Sequence, residues 1–416
     1  MIAPSQLSAP SATIAADTAA DVDWQAVVVG AGPAGAATAW RLAAQGVRTL
    51  LIDRHAFPRA KVCGCCLSSR AVRELELLAP DALPAAAVRL DAVRLAHRGR
   101  WARISLPAGR VVSRDLLDGH LVGHAISAGC HWLPGVHVSA VADDAHEQTA
   151  RVTCSGDAAT TGRGPHALRA GFVILAAGLA DHVRITNGSA NGAEPARHIA
   201  TESRIGVGGV LPADACDLPD GELVMAVGRA GYCGLVRLED GRIDVAAAFD
   251  RAAIARSTAP AQAIAALLAD AGASACPLPH TDAVLAAAFR VTPPLTRHAP
   301  LVAGAARRIL RVGDAAGYVE PFTGEGIGWA MTAARILAGA LVAPLGLRSP
   351  AEAAHHYHAA HTRVFGRLHA RCSLVAAGLR RPAVVAAAIT AARALPLAAR
   401  MVAPVVIGSE SRRASA

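Results

Sequence analysis

Residues Gly30-Ala31-Gly32-Pro33-Ala34-Gly35 place three glycines at G-x-G-x-x-G spacing, and the segments on either side decide what that means. Upstream, Trp24–Gly30 (WQAVVVG) is an apolar run of the kind a buried strand needs. Downstream, Ala34 to Gln45 reads as a helix and Val47–Asp53 (VRTLLID) as a second strand, so the chain opens with a βαβ unit. In such a unit Gly30 permits the tight turn after the strand. Gly32 lets backbone N–H groups approach a pyrophosphate, and Gly35 lets the helix pack closely on the strand. Pro33 and Ala34 open the helix, whose N-terminus turns partial positive charge toward the phosphates. Asp53 closes the second strand, where a carboxylate takes ribose hydroxyls, and Arg54 follows it. A glycine pattern alone arises by chance in a chain with 38 Gly. Strand, turn, helix, strand and acid in that order constrain far more, and they predict a dinucleotide-binding α/β domain.

A second segment narrows the dinucleotide to FAD. Arg307–Gly317 (RRILRVGDAAG) returns to a buried strand that ends at Gly313-Asp314. A Pro/Gly turn follows through Gly324, and a helix runs from about Gly326-Ile327. An Asp at a strand end binds a ribityl hydroxyl, and a helix N-terminus beyond it stabilises negative charge at the flavin N1–C2=O edge. Between the two segments, Val93 to Gly109 is strand-like, Arg114 to Gly129 helical, and Gly171–Gly178 (GFVILAAG) another buried strand. Residues 201–250 read as antiparallel strands, with a hairpin turning at Asp240-Gly241. The pattern predicts an α/β fold with an inserted α+β part. A Rossmann-like FAD-binding domain (21–92, 110–184 and 295–345) is interrupted by a substrate domain with an antiparallel sheet (93–109 and 185–294). C-terminal helices follow (346–416), and residues 1–20, rich in Ala, Ser and Pro, read as a disordered arm.

With both segments placed, the chain resembles the FAD-dependent geranylgeranyl reductase family, within the flavoprotein group that includes p-hydroxybenzoate hydroxylase and the flavin halogenases. The resemblance covers about residues 24–345. GAGPAGAATAWRLAAQGVRTLLIDR is similar to the family's FAD fingerprint. FPRAKVCGCCLS (Phe57–Ser68) resembles its P-R-x-K-x-C-G-G-x-L-S loop, with cysteines at the second glycine and the residue after it. SRDLLDGHL (Ser113–Leu121) is similar to the segment in which an Arg approaches the flavin, and GDAAGYVEPFTGEGI (Gly313–Ile327) to G-D-A-A-G-x-x-x-P-x-T-G-E-G-I. The resemblance implies FAD as cofactor, NAD(P)H as a candidate electron donor, and reduction of a carbon–carbon double bond in a hydrophobic small molecule. It implies cofactor contacts at Arg59, Cys63, Gly64, Arg114 and Gly178, and catalytic roles for Cys63, Lys61 and Tyr232. Hydroxylases of the wider group usually carry His where this chain has Gly317, which favours the reductases. Ala177 stands where the wider group has an Asp that contacts FAD and, in hydroxylases, NAD(P)H. Of the Tyr-x-Trp-x-Phe-Pro substrate motif of polyprenyl reductases, GYCGLVR (Gly231–Arg237) keeps Tyr232.

The loop holding Cys63, Cys65 and Cys66 leaves several readings open. A structural zinc site needs a second ligand pair, and none accompanies this one, so no metal is expected. Cys65 and Cys66 read as packed thiols or as members of a redox pair. Cys63 reads as a proton donor or positioning group at the flavin's reactive face, with Arg59 and Lys61 lowering its pKa. Lys61 is the only lysine among 41 basic residues. The net charge of +9 is scattered and aromatics are 3%, which argues against a nucleic-acid partner. Nine mostly separated cysteines and the lack of a secretory pattern suggest a cytoplasmic protein with free thiols. His355, His356, His358 and His361 read as a solvated helix face. Residues 380–406 read as a closing helix, or as one lying on a membrane surface. Alternatives to the reductase reading are an NAD(P)H- and O2-dependent monooxygenase acting on an aromatic or polyketide-like compound, and a flavin redox sensor without turnover.

Overall fold

A computed structural model describes residues 13–144, 148–156, 166–180, 182–186, 197–272, 278–320, 322 and 324–394. Two large sheets dominate them. The first is built from apolar runs buried on both faces, as parallel strands must be. Strand Asp23–Val29 runs parallel to Thr49–Asp53 on one side and His166–Leu175 on the other. His131–Pro134 extends one edge, and Ile309–Arg311 pairs in parallel with the last residues of His166–Leu175. A single strand therefore separates the strand before Gly30 from the strand before Gly313. Antiparallel strands Val136–Asp144 and Thr149–Gly156 complete this sheet, with Arg184–Thr186 at its edge.

Helices Pro33–Ala43, Arg114–Ser127 and Gly326–Leu341 pack on one face, around Leu51, Leu117, Ile174, Leu310 and Trp329. The close approach depends on Gly35. A Cβ there would lie 1.8 Å from the Gly30 carbonyl oxygen.

The second sheet runs Arg290–Pro294, Ile205–Leu211, Ile243–Phe249, Gly231–Arg237, Glu222–Val227, Val88–His97, Arg100–Val111, Cys66–Leu67. It is antiparallel except where Glu222–Val227 lies parallel to Val88–His97. Alternation divides its faces. Val207, Val245 and Phe249 pack with Ile264 and Leu267 of helix Pro260–Ala271, while Met225, Tyr232 and Ala248 belong to the opposite face.

The observed boundaries differ from the expected ones. The paired strands begin at Val88 and end at Val111, beyond 93–109 on both sides, because the hairpin is longer than its apolar pattern. Within the expected disordered arm, Ala16–Ala20 is a helix. Trp24 Nε1 donates to its Ala19 carbonyl at 2.9 Å, and Ile14 and Ala19 pack against the first sheet. Residues 1–12 lie outside the described residues.

The C-terminal part is two helices, Pro350–Leu379 and Pro382–Ala394, meeting at 100°. No single described helix is long and apolar enough to cross a membrane. Val385, Ile389 and Ala392 pack on the second sheet with Val93 and Leu95, and residues 395–416 lie outside the described residues. His355, His356 and His358 are exposed, whereas His361 is only half-buried. It stacks on Phe365 with ring centroids 4.3 Å apart.

Candidate flavin and substrate site

A cavity of about 450 Å³ lies between the two sheets, and the predicted residues converge on it from distant parts of the chain. Gly30, Gly32, Pro33, Ala34, Asp53 and Arg54 line one end. Asp53 is fixed there by the Ala31 and His55 backbone N–H groups, at 2.8 and 2.9 Å, and by Arg59 Nη2 at 3.3 Å. A Cβ on Gly32 would point at Arg114 Nη2 (3.6 Å) and Arg59 Nη2 (3.9 Å), so the glycine turn leaves backbone facing two guanidiniums. Gly35 and Gly313 are not wall residues. Gly313 has φ +64°, and a Cβ on it would lie 2.7 Å from the Ala34 Cβ. The two distant turns therefore touch, and only glycine allows it.

Asp118 was not singled out from the sequence, yet it organises this end. It is fully buried and accepts both prongs of Arg114 at 2.8 and 2.7 Å, with Arg59 at 3.5 Å. Arg297, also unforeseen, reaches the carbonyls of Gly178 (3.2 Å) and Leu179. Lys61 extends along the cavity, its Nζ 3.5 Å from where a Gly178 Cβ would stand. Its side chain is exposed along the open cavity, and desolvation by the cavity walls followed by the charges of Arg59 and Arg114 pushes its ammonium down to about 8. Asp314 lines the same stretch, and burial raises its carboxyl despite Lys61 and Arg114.

Cys63 and Gly64 form the wall next, Gly64 close to Ala246 of the second sheet (3.8 Å from a built Cβ). A hydrogen bond from Cys65, then the charge of Arg114, pushes the Cys63 thiol down to about 5. The effective cation is Arg114 rather than the expected Arg59 and Lys61. The shift has the expected direction and favours the thiolate form. Cys65 and Cys66 are buried. The bond to Cys63 and burial raise the first thiol, and burial raises the second. Among the described residues no cluster of His, Cys, Asp or Glu could hold a metal ion.

The far end is apolar. Gly206, Met225, Gly234, Ala246 and Leu295 leave a wide floor, and Gly324, Gly326 and Ile327 close one side at the start of helix Gly326–Leu341. Tyr232 meets Phe322 edge-on at 5.1 Å and lies under the Arg204 guanidinium at 5.5 Å. Burial raises its phenol, which stays neutral. Arg204 is held by Asp250 (2.9 Å) and Glu320 (2.8 Å), and Arg380 from the C-terminal helices reaches Asp250 at 2.8 Å.

These residues fit FAD. Glycine backbone and two guanidiniums would hold a pyrophosphate, and a strand-end acid would hold a ribose. A second acid and a cysteine loop follow toward an apolar chamber.

Comparison with known proteins agrees. Residues 23–207 match the FAD binding domain family. Menaquinone reductase from Mycobacterium tuberculosis is 37% identical over 143 residues, 33% of this chain and 34% of that protein. Geranylgeranyl diphosphate reductase from Rhodobacter capsulatus is 35% identical over 114 residues, 27% of this chain and 28% of that protein. The chain thus aligns with only about a third of the length of these relatives. The solved structure of p-nitrophenol 4-monooxygenase from Pseudomonas putida has a TM-score of 0.67 at 17% identity, covering 94% of this chain and 99% of that one. Residues 23–207 are an FAD-binding domain, set in a fold shared with flavin-dependent oxidoreductases.

Proposed function

We propose that the protein is an FAD-dependent oxidoreductase that reduces a carbon–carbon double bond in a hydrophobic, polyprenyl-type molecule. The observation that carries this reading is the apolar chamber at the end of the cavity, which Cys63 borders and Tyr232 closes. FAD, held along the cavity and reduced, would supply hydride chemistry there. Gly32, Arg59 and Arg114 would hold its pyrophosphate, Asp53 a ribose, and Asp314 the ribityl chain. Cys63 holds negative charge beside the chamber and accepts or returns a proton there. Tyr232, neutral, offers its hydroxyl to a polar end of the substrate, while Met225, Leu295 and Phe322 exclude water. The relatives named for menaquinone and geranylgeranyl diphosphate support a polyprenyl substrate. NAD(P)H is the proposed source of electrons.

A substrate of this class resides in a bilayer, and we place the protein at its surface, on the cytoplasmic side. On helix Pro350–Leu379, Arg363, Arg367 and Arg371 are exposed at four-residue spacing, and Leu374 on the same stripe is 76% exposed. No Asp or Glu occurs from 353 to 394. Such a face suits anionic headgroups.

The test is anaerobic. The FAD-loaded protein is reduced with dithionite, then given geranylgeranyl diphosphate or a menaquinone, and the flavin spectrum and product mass are followed. Re-oxidation without oxygen and a product heavier by two hydrogens are expected. Re-oxidation that requires oxygen and yields a hydroxylated aromatic product would overturn the reading in favour of a monooxygenase, the alternative that the likeness to p-nitrophenol 4-monooxygenase favours.

A further inference from the structure

We infer that the apolar chamber continues as a groove beneath helix Pro382–Ala394, where the far units of a polyprenyl chain take the place of Val385, Ile389 and Ala392 on the second sheet. The inference rests on the proposed polyprenyl substrate and says where its tail goes. The register of the sheet carries it. Ala246 pairs with Gly234, Gly234 with Met225, Met225 with Leu95, and Leu95 with Ala102. Directly paired residues share a face, so these form one row across the strands. Ala246, Gly234 and Met225 line the cavity. Leu95 and Ala102 lie beyond it, buried in one apolar cluster with Met225 and with Val385, Ile389 and Ala392 of the helix. The chamber floor therefore runs on across two more strands, and the helix is what covers it.

The cover is lightly held. Val385, Ile389 and Ala392 are the buried residues of this helix, and alanine occupies most of its other positions. Among the described residues its side chains make no hydrogen bond or ion pair with another element; Thr390 donates to the Ala386 carbonyl within the helix. The polar tie stands at the corner just before it. Arg380 reaches Asp250 (2.8 Å), the Glu202 carbonyl (2.7 Å) and Glu320 (3.5 Å). The same two carboxylates hold Arg204 over Tyr232, so this latch and the aromatic wall of the chamber share one set of charges. An apolar tail that replaces apolar side chains on the row keeps water out of it while the helix shifts. On the outer side Val384 is 46% exposed, with Ala383, Ala387, Ala388 and Ala391 exposed beside it. Such a face suits the bilayer surface from which the substrate comes.

The experiment uses full-length, FAD-loaded protein in the oxidised state, which cannot reduce a substrate. Amide hydrogen–deuterium exchange of peptides from 382–394 is followed alone, with geranyl diphosphate and with geranylgeranyl diphosphate, and both affinities are measured by calorimetry. Wild type should bind the longer chain at least about tenfold more tightly, and only the longer chain should speed exchange in 382–394. Ala102→Phe, which fills the end of the row, should erase that preference while geranyl diphosphate still binds. Arg380→Met without ligand should speed exchange in 382–394 at least about tenfold and leave the central strands of the second sheet protected, a readout that stands even if A102F does not fold. The groove is overturned if exchange in 382–394 is unchanged by bound geranylgeranyl diphosphate or in R380M, if the two chains bind equally, or if folded A102F keeps the preference. Failure of both diphosphates to bind overturns the polyprenyl reading along with it. Reduced enzyme that transfers no hydride to a chain bound in this way discards the reductase reading and leaves the groove standing.

Discussion

Lys61 shows at the scale of a residue how the cavity ties charge to binding. Its ammonium is pushed down to about 8, so it is charged below that pH and neutral above it. FAD affinity, read from quenching of flavin fluorescence, should be highest at neutral pH and fall as pH rises past 8. Lys61→Met should be weaker at neutral pH and lose that step; a step that persists in K61M assigns it elsewhere. Asp118 has a different lesson. It lies four residues after Arg114 on one helix, a spacing that places both on one face and that could have flagged the pair in the sequence. Arg297 carried no such signal, because its partner at Leu179 is brought near only by the tertiary fold. Cys65 was visible as a departure from glycine, and its backbone adopts the left-handed conformation that glycine favours, φ +51°.

Individual elements are held by close approaches that tolerate little change. Gly35→Ala would drive a methyl group into the Gly30 carbonyl. It should destabilise the protein by about 1–3 kcal/mol or more, seen as a lower unfolding midpoint in urea, and abolish FAD uptake. A second prediction concerns helix Pro350–Leu379. Burial pushes His361 and His369 down to about 4, so both fold neutral. The unfolded chain takes up these protons first, near the ordinary histidine value. Stability should therefore be present above about pH 6.5 and be lost progressively as pH falls toward 4. Thermal unfolding followed by helical circular dichroism at stepped pH checks this, and His361→Phe with His369→Phe should flatten the decline. The βαβ opening and the Asp240-Gly241 hairpin were readable because each is local, and Gly241 does adopt φ +88°. The parallel pairing of Glu222–Val227 with Val88–His97 was not, since nothing in either segment specifies a neighbour so far along the chain.

For the whole molecule, the decisive fact is that a cavity forms where the two sheets meet, closed on one side by the start of helix Gly326–Leu341. Helix Pro382–Ala394 shares an apolar cluster with Tyr232 and Leu295, so the C-terminal pair links the chamber to the arginine-bearing surface. Sedimentation with vesicles should show binding to anionic but not zwitterionic lipid, weakened by salt and by the triple change Arg363→Glu, Arg367→Glu, Arg371→Glu. Equal binding to both lipids, or none, removes the proposed surface. Everything else depends on the turns at Gly30 and Gly313 meeting around a single cofactor. The direct measurement is titration of folded apoprotein with FAD, for wild type, Arg114→Met and Asp314→Ala. One FAD per chain should bind, and each variant should bind at least about tenfold more weakly while keeping its fold. A well-folded wild type that takes up no FAD, or variants that bind like wild type, would contradict the account.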